Sequence, residues 1–237
     1  GWHKFENTNG LTPAESEKSF DLGHGHSEVY AIEYKASKGD DTRHVAANEY
    51  FRVNPHRLNL GIIGLDIKAT EGKKVELKDL TDIHQELQLY DGKIESRLAV
   101  DGSPVDVTTA ALQDKDAVVY RIKTSLLQDG RATVAIRFPY PTGKHADAAA
   151  DWTKPERHTS RIAASYDHAA VIEHVLDSTC YYLTLTWQGN AHLQECDRHY
   201  FELSTTDDVL TFKAEYSPLS SDVAPASLVY EQELKAV

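Results

Sequence analysis

The 237-residue chain has no methionine, two cysteines, 13 glycines and 8 prolines, and its 25 Lys+Arg are outnumbered by 37 Asp+Glu, giving a formal charge of −12. Each shortage excludes something. Affinity for a phosphate backbone comes mainly from cations, so with a surface of this sign no nucleic-acid partner is expected. The uninterrupted apolar runs are far shorter than the roughly 20 residues of a spanning helix, so no membrane segment is expected. With 41% apolar residues and little Gly or Pro, the chain is not low-complexity or disordered and can bury a sizeable core. It starts Gly1-Trp2-His3, with neither a charged n-region nor an apolar h-region. No targeting segment is therefore expected within it, and the missing methionine leads us to expect a piece of something longer.

Motifs are as sparse as methionines. There is no GxGxxG, no GxxxxGKS/T and no GxSxG, which removes the dinucleotide, P-loop and α/β-hydrolase readings. Neither HExxH nor CxxC occurs, so the twelve histidines carry no zinc signature, and the densest group, His24-Gly25-His26, reads as a polar turn. No metal and no cofactor is expected. Any pair chosen from 37 acids as glycosidase acid and base would be arbitrary, because the two carboxylates are recognised by their separation in space.

What the chain does have is strand after strand. Stretches rich in Val, Ile, Thr, Tyr and Phe are punctuated by turn dipeptides at close intervals, with almost no helical periodicity and no βαβ rhythm. The class is all-β, antiparallel. Ile83–Tyr90 and Ile94–Val100 flank Asp91-Gly92, which as a two-residue turn sets Leu89 against Ile94, Leu87 against Ser96 and Ile83 against Val100. For the next pair, a bulged three-residue loop Gln128-Asp129-Gly130 sets Ile122 against Ile136 and Tyr120 against Phe138, whereas a one-residue slip would oppose Lys123 to Ile136. Further strands are expected at Ser27–Lys35, Leu58–Thr70, Pro104–Leu112, Ser160–Tyr166, Ala170–Leu176, Thr179–Trp187, His199–Ser204 and Val209–Tyr216.

Two segments break this rhythm. Pro139 to Arg161 is too irregular for a strand and too long for an ordinary connection, which suits a functional or mobile loop. Pro225 to Val237 reads as a helix, with Pro225 at its first position and Tyr230, Leu234 and Val237 in one stripe. Cys180 and Cys196, on strands expected to meet near Gly189-Asn190, come out about 7–14 Å apart, outside disulfide range, so two free, mostly buried thiols are expected. Trp187 ends an alternating strand and reads as core. Trp2 and Trp152 lie in irregular segments, where an aromatic face offers a platform for the apolar side of a sugar ring.

The run Tyr50-Phe51-Arg52-Val53-Asn54-Pro55-His56-Arg57-Leu58-Asn59-Leu60-Gly61-Ile62-Ile63-Gly64-Leu65 resembles a signature of the family 65-like glycoside hydrolases, relatives of maltose and kojibiose phosphorylases. Gly1-Trp2-His3-Lys4-Phe5 with Gly10-Leu11-Thr12-Pro13 is similar to an earlier element of the same domain, and Asp101 to Val107 to a later one. The resemblance implies a large antiparallel β-supersandwich of the galactose mutarotase-like type over residues 1–222. Residues 223–237 would then begin a short linker helix towards a missing (α/α)6 catalytic barrel. The catalytic glutamate of such proteins lies in that barrel, so no residue here inherits a catalytic role. The function implied is that of a non-catalytic N-terminal domain supporting the barrel in carbohydrate degradation, in a secreted or periplasmic bacterial protein. Its partners would be carbohydrate and the helical domain, and its substrate-contacting candidates are Trp2, His3, His56, Arg57 and Trp152. From the residues alone, Pro55 drives Asn54 extended and Leu58, Leu60 and Ile62 supply a core face, so His56 and Arg57 also read as anchors of a strand end. An independent carbohydrate-binding module is the alternative, and a mutarotase-like enzyme, which needs a convergent His and carboxylate, is a third reading.

Overall fold

The computed structural model describes residues 1–219; the expected helix at 225–237 and the boundary at 222 lie outside the described residues. The chain forms two compact units. One comprises Gly1–Leu60, Pro139–Lys154 and Asp177–Thr179; the described part of the other comprises Gly61–Phe138, Pro155–Leu176 and 180–219. Antiparallel strands dominate, as expected for an all-β chain. No helix among the described residues is long and apolar enough to cross a membrane.

The first unit holds a short ladder of β1 (Trp2–His3) and, later in the chain, β4 (His56–Arg57), and a hairpin of β2 (Glu17–Gly23) and β3 (His26–Ala31). Between them lies a helix that sequence periodicity missed, α1 (Thr42–Val53). Only Ala47 in it is buried, so it has no apolar stripe to read. Its signal is instead a cap: the Asp41 carboxylate accepts the Arg43 and His44 backbone N–H groups, which would otherwise lack partners at a helix start.

The second unit contains two sheets. One has four strands in the order β14-β15-β10-β5, where β5 is Ile62–Ile67, β10 Ala132–Arg137, β14 Ala191–Asp197 and β15 Tyr200–Thr205. The other has eight, in the order β11-β12-β13-β16-β9-β8-β7-β6. Its strands are β6 (Leu80–Gln88), β7 (Lys93–Val100), β8 (Ser103–Ala111), β9 (Ala117–Lys123), β11 (His158–Tyr166), β12 (Ala169–Leu176), β13 (Thr179–Gln188) and β16 (Val209–Ser217). In β15 the buried Phe201, Leu203 and Thr205 alternate with half-buried Tyr200, Glu202 and Ser204, the period of two that puts one face on a core. Phe138, following β10, stacks on His174 of β12 at 4.9 Å and meets Phe201 edge-on at 6.0 Å. The sheets therefore share a core. A fully buried side chain such as Phe201 contributes about 2–3 kcal/mol through apolar area removed from water.

Three expected pairings are corrected. β6 and β7 do form a hairpin, but Leu87 faces Ile94 and Gln85 faces Ser96, two residues from the expected register. The turn takes four residues, with the Asp91 N–H donating to the Gln88 carbonyl at 3.2 Å; a shift of two keeps the side chains from His84 to Gln88 on their expected face, but past a bulge between Thr81 and His84, Val100 faces Leu80 and not Ile83 as expected. β9 and β10 do not pair at all. β9 lies between β8 and β16, and β10 between β15 and β5. The reason is the one-turn helix α2 (Ser125–Gln128): the Thr124 side chain accepts from the Leu126 N–H, and Leu126 and Leu127 are fully buried, carrying the chain from one sheet to the other. β13 and β14 likewise belong to different sheets, so Gly189-Asn190 is a crossing rather than a hairpin. Cys180 and Cys196 are indeed free thiols, but Cys180 is half-buried and Cys196 exposed, not mostly buried as expected, because β14 is an edge strand.

Candidate functional site

In the first unit the two motif segments meet residue for residue. Trp2 lies opposite Arg57 and His3 opposite His56. Around that ladder the Leu58 N–H donates to the Gly1 carbonyl (2.9 Å), the Phe5 N–H to Asn54 Oδ1 (2.8 Å) and the Tyr50 hydroxyl to the Phe5 carbonyl (2.9 Å). Asn54 is extended, as Pro55 requires, and its Nδ2 returns to the Tyr50 carbonyl. The Tyr50-to-Arg57 run thus holds Gly1 to Phe5 in place.

The ladder sorts the five candidate residues by exposure. Trp2 is 67% and Trp152 50% exposed, whereas His3 and His56 are 1% and 2% exposed. Arg57 turns to the loop, donating to the backbone carbonyls of Asp147 (2.7 Å) and His145 (3.4 Å). That loop is pinned further: Asp147 accepts from Thr142 and from the Ala149 N–H, and Tyr140 and Asp151 form a bridge. These hydrogen bonds, the Ala149 N–H foremost, hold the Asp147 carboxyl below its ordinary range. Pro139 to Lys154 is therefore a structured loop. Trp152 stands on it and is not brought into the ladder.

One residue that the sequence reading missed organises the rest. Asp177 lies in the turn between β12 and β13 in left-handed conformation (φ 47°). Its Oδ2 accepts from His3 Nε2 (3.0 Å) and from the Tyr140 hydroxyl (2.7 Å), while His3 Nδ1 meets Thr179 Oγ1 at 2.9 Å. Burial lowers the His3 pKa, and Asp177 opposes that shift, which leaves a neutral imidazole donating through Nε2 and accepting from Thr179. Asp177 opens on a groove of about 630 Å³ lined also by Lys4, Phe5, Glu6, Asn7, Tyr50 and Ser178. The signal in the sequence was only an Asp at a β-turn, which suits the left-handed position. This pair meets the distance requirement of the mutarotase-like reading. Its histidine is buried with both nitrogens engaged, so it orients the carboxylate and is not placed to exchange protons with a ligand.

A second cluster lies in the other unit. His158, His174 and His199 are buried and bring one nitrogen each within 4.8 Å of the others; none of them belongs to the His24-Gly25-His26 group. His199 Nε2 donates to the Pro155 carbonyl (2.8 Å), so its Nδ1 accepts from Ser160 Oγ (2.9 Å), and Ser160 in turn accepts from His174 Nδ1 (2.7 Å). His174 Nε2 is left buried without a hydrogen-bond partner among the described residues. Burial drives the pKa of His174 down to about 3 and that of His158 to about 4, with repulsion between the rings adding to it. The rings of His158 and His199 lie parallel, 13° apart with centroids at 3.6 Å. An ion bound in the plane of each ring, at about 2.1 Å, cannot lie in two stacked planes at once. His174 and His199 are thus packed neutral and joined through Ser160, with the His158 ring stacked on His199. His174 was detectable from the sequence, because it shares strand parity with Ile172 and Leu176, both fully buried.

No protein-family model and no curated protein matches the chain. A solved structure described as a putative kojibiose phosphorylase from human microbiome is similar to it with a TM-score of 0.41 and 8% identity, over 65% of this chain and 21% of that one. The chain thus spans about a fifth of that protein's length.

Proposed function

We propose that this chain is a non-catalytic β-sandwich domain of a carbohydrate-degrading protein, supporting a helical catalytic barrel of the same parent and contributing one edge of its sugar site. The observation that carries the reading is the union of the two motif segments: Gly1 to Phe5 and Tyr50 to Arg57, each resembling a family 65-like element, are hydrogen-bonded to each other. Beside them runs a groove whose walls offer two aromatic rings, Phe5 and Tyr50, and an oriented carboxylate, Asp177. Sugars are held by that combination, a ring face against C–H groups and fixed acceptors on hydroxyls. The proposed contacts are Asp177 in the groove and, on the other face of the ladder, the exposed Trp2 and Arg57, while His3 and His56 act as supports.

The test is turnover and binding by purified 1–237. No hydrolysis or phosphorolysis across a glycoside panel is expected, and turnover surviving contamination controls would overturn the reading. The exposed Trp2–Arg57 pair favours a second reading, an independent carbohydrate-binding module. That module requires calorimetric binding of an isolated glycan on the order of micromolar to millimolar Kd, lost in Trp2→Ala; silence across a glycan array disposes of it.

A further inference from the structure

The eight-stranded sheet ends on β6, and among the described residues no strand pairs with its outer edge. Every residue from Thr81 to Leu87 is exposed, including Ile83 at 60% and Leu87 at 54%, and Leu89 just beyond is 78% exposed. Sheet edges present unpaired backbone groups that template further strands, and proteins blunt them with bulges, lysines or prolines. The opposite edge, β11, is blunted, by a bulge at mid-strand between Ile162 and Ala164 and by Arg161. In the four-stranded sheet the edge strand β14 is bulged between Glu195 and Asp197. Strand β6 has no Lys, Arg or Pro. Its own bulge lies near its start, at Asp82 (φ 52°) and Ile83 between Thr81 and His84, and the stretch from His84 to Gln88 beyond it is regular.

The sequence of that edge complements itself. Antiparallel pairing of two copies about a two-fold axis at Gln85 puts His84 against Glu86 and Gln85 against Gln85, with Leu87 of the second copy beside Ile83 where the bulge begins. One face is then apolar around the glutamines, and the other carries two imidazole–carboxylate pairs. Moving the axis to His84 sets Asp82 against Glu86, and moving it to Glu86 sets that residue against itself. Both oppose like charges, which is destabilising directly across a ladder. Axes between residues would put Ile83 opposite a polar residue of the other face. Within its own sheet Glu86 already lies opposite Glu95, so a second copy supplies the cross-strand partner that β7 does not.

We propose that β6 is a homodimerisation edge, through which two copies of this chain pair β6 to β6 about Gln85 and join their eight-stranded sheets into one. The contact is isologous, the commonest arrangement of soluble homo-oligomers. It is independent of any sugar chemistry and stands whether or not the proposed function does.

The register gives a sharp test on the whole 1–237 chain. Sedimentation equilibrium should show a monomer–dimer equilibrium with Kd at or below about 100 µM. His84→Glu and Glu86→Lys should each weaken it by about 2- to 30-fold, because each substitution alters two symmetric pairs, and the double charge swap should restore it. In a Cys180→Ser/Cys196→Ser background, Gln85→Cys should cross-link to itself on mild oxidation. His84→Cys and Glu86→Cys should cross-link when mixed and not alone. Circular dichroism of each variant separates lost pairing from lost folding. A chain monomeric throughout that range, or a dimer that ignores the charge swap and cross-links in another register, overturns the proposal.

Discussion

Acidification should weaken this fold through His174 by an amount that its burial sets. In the folded chain the ring is fully buried and its pKa is pushed down to about 3, against about 6.5 in an unfolded chain. The folded-state pKa is depressed, so the contribution to stability is complete above about pH 6.5 and is lost as the pH falls towards the folded value. At pH 5 the buried ring is still neutral while almost every unfolded copy is protonated, which lowers the folding free energy by RT ln(1 + 10^1.5), about 2 kcal/mol. For a chain of this size that is a fall in Tm of roughly 4–8 °C. The measurement is chemical denaturation at about pH 7.5 and about pH 5 for the wild type and His174→Asn. The amide of that variant keeps a donor towards Ser160 Oγ but has no proton to gain. The variant should be less stable at neutral pH and should lose about 2 kcal/mol less than the wild type on acidification. Acid-sensitive groups away from the histidine cluster are common to both proteins and drop out of the difference. Equal losses in the two proteins would refute the reasoning.

Other substitutions probe the rest of the framework. Asp177→Asn keeps the left-handed turn that Asn tolerates but removes the charge accepting from His3 and Tyr140, and should cost about 1–3 kcal/mol in urea denaturation. Gly61 has φ 126°, and a β-carbon there would lie 3.2 Å from the Arg137 carbonyl and the Phe138 ring, so Gly61→Ala should cost more than about 1 kcal/mol in the same assay. Native thiol titration should find Cys196 reacting before Cys180, and intact mass should be the same with and without reductant, since both thiols are free and only Cys196 is exposed.

The period-two pattern and turn dipeptides placed most strands within a few residues, because a sheet with one face on a core repeats its chemistry every second residue. What that pattern lacks is a label for the sheet to which a strand belongs. β9 and β10 alternate as a hairpin should, and only the burial of Leu126 and Leu127, four residues of local structure, sends them apart. α1 escaped for the opposite reason, a helix with one buried residue and hence no stripe. At the candidate site, His3, His56, Trp2 and Arg57 were legible because motif segments carried them. Asp177 was not, since its partners are 174 and 37 residues away and nothing local marks the meeting.

The position of β16 in the eight-stranded sheet bears on how the protein is made. Strands β6 to β9 form one meander and β11 to β13 another, and β16 lies between them, paired to β13 on one side and β9 on the other. Neither meander is hydrogen-bonded to the other in the sheet until this strand is inserted, although it is the last of the described strands to be synthesised. Contacts between residues as far apart as Lys123 and Val209 must wait for that step, a topology associated with slow folding and with exposed edges along the way. A nascent chain released short of Val209 would therefore carry two half-sheets, each with a raw inner edge in addition to its outer one. The ribosome-bound intermediate, rather than the finished domain, is where this sequence is most exposed to aggregation.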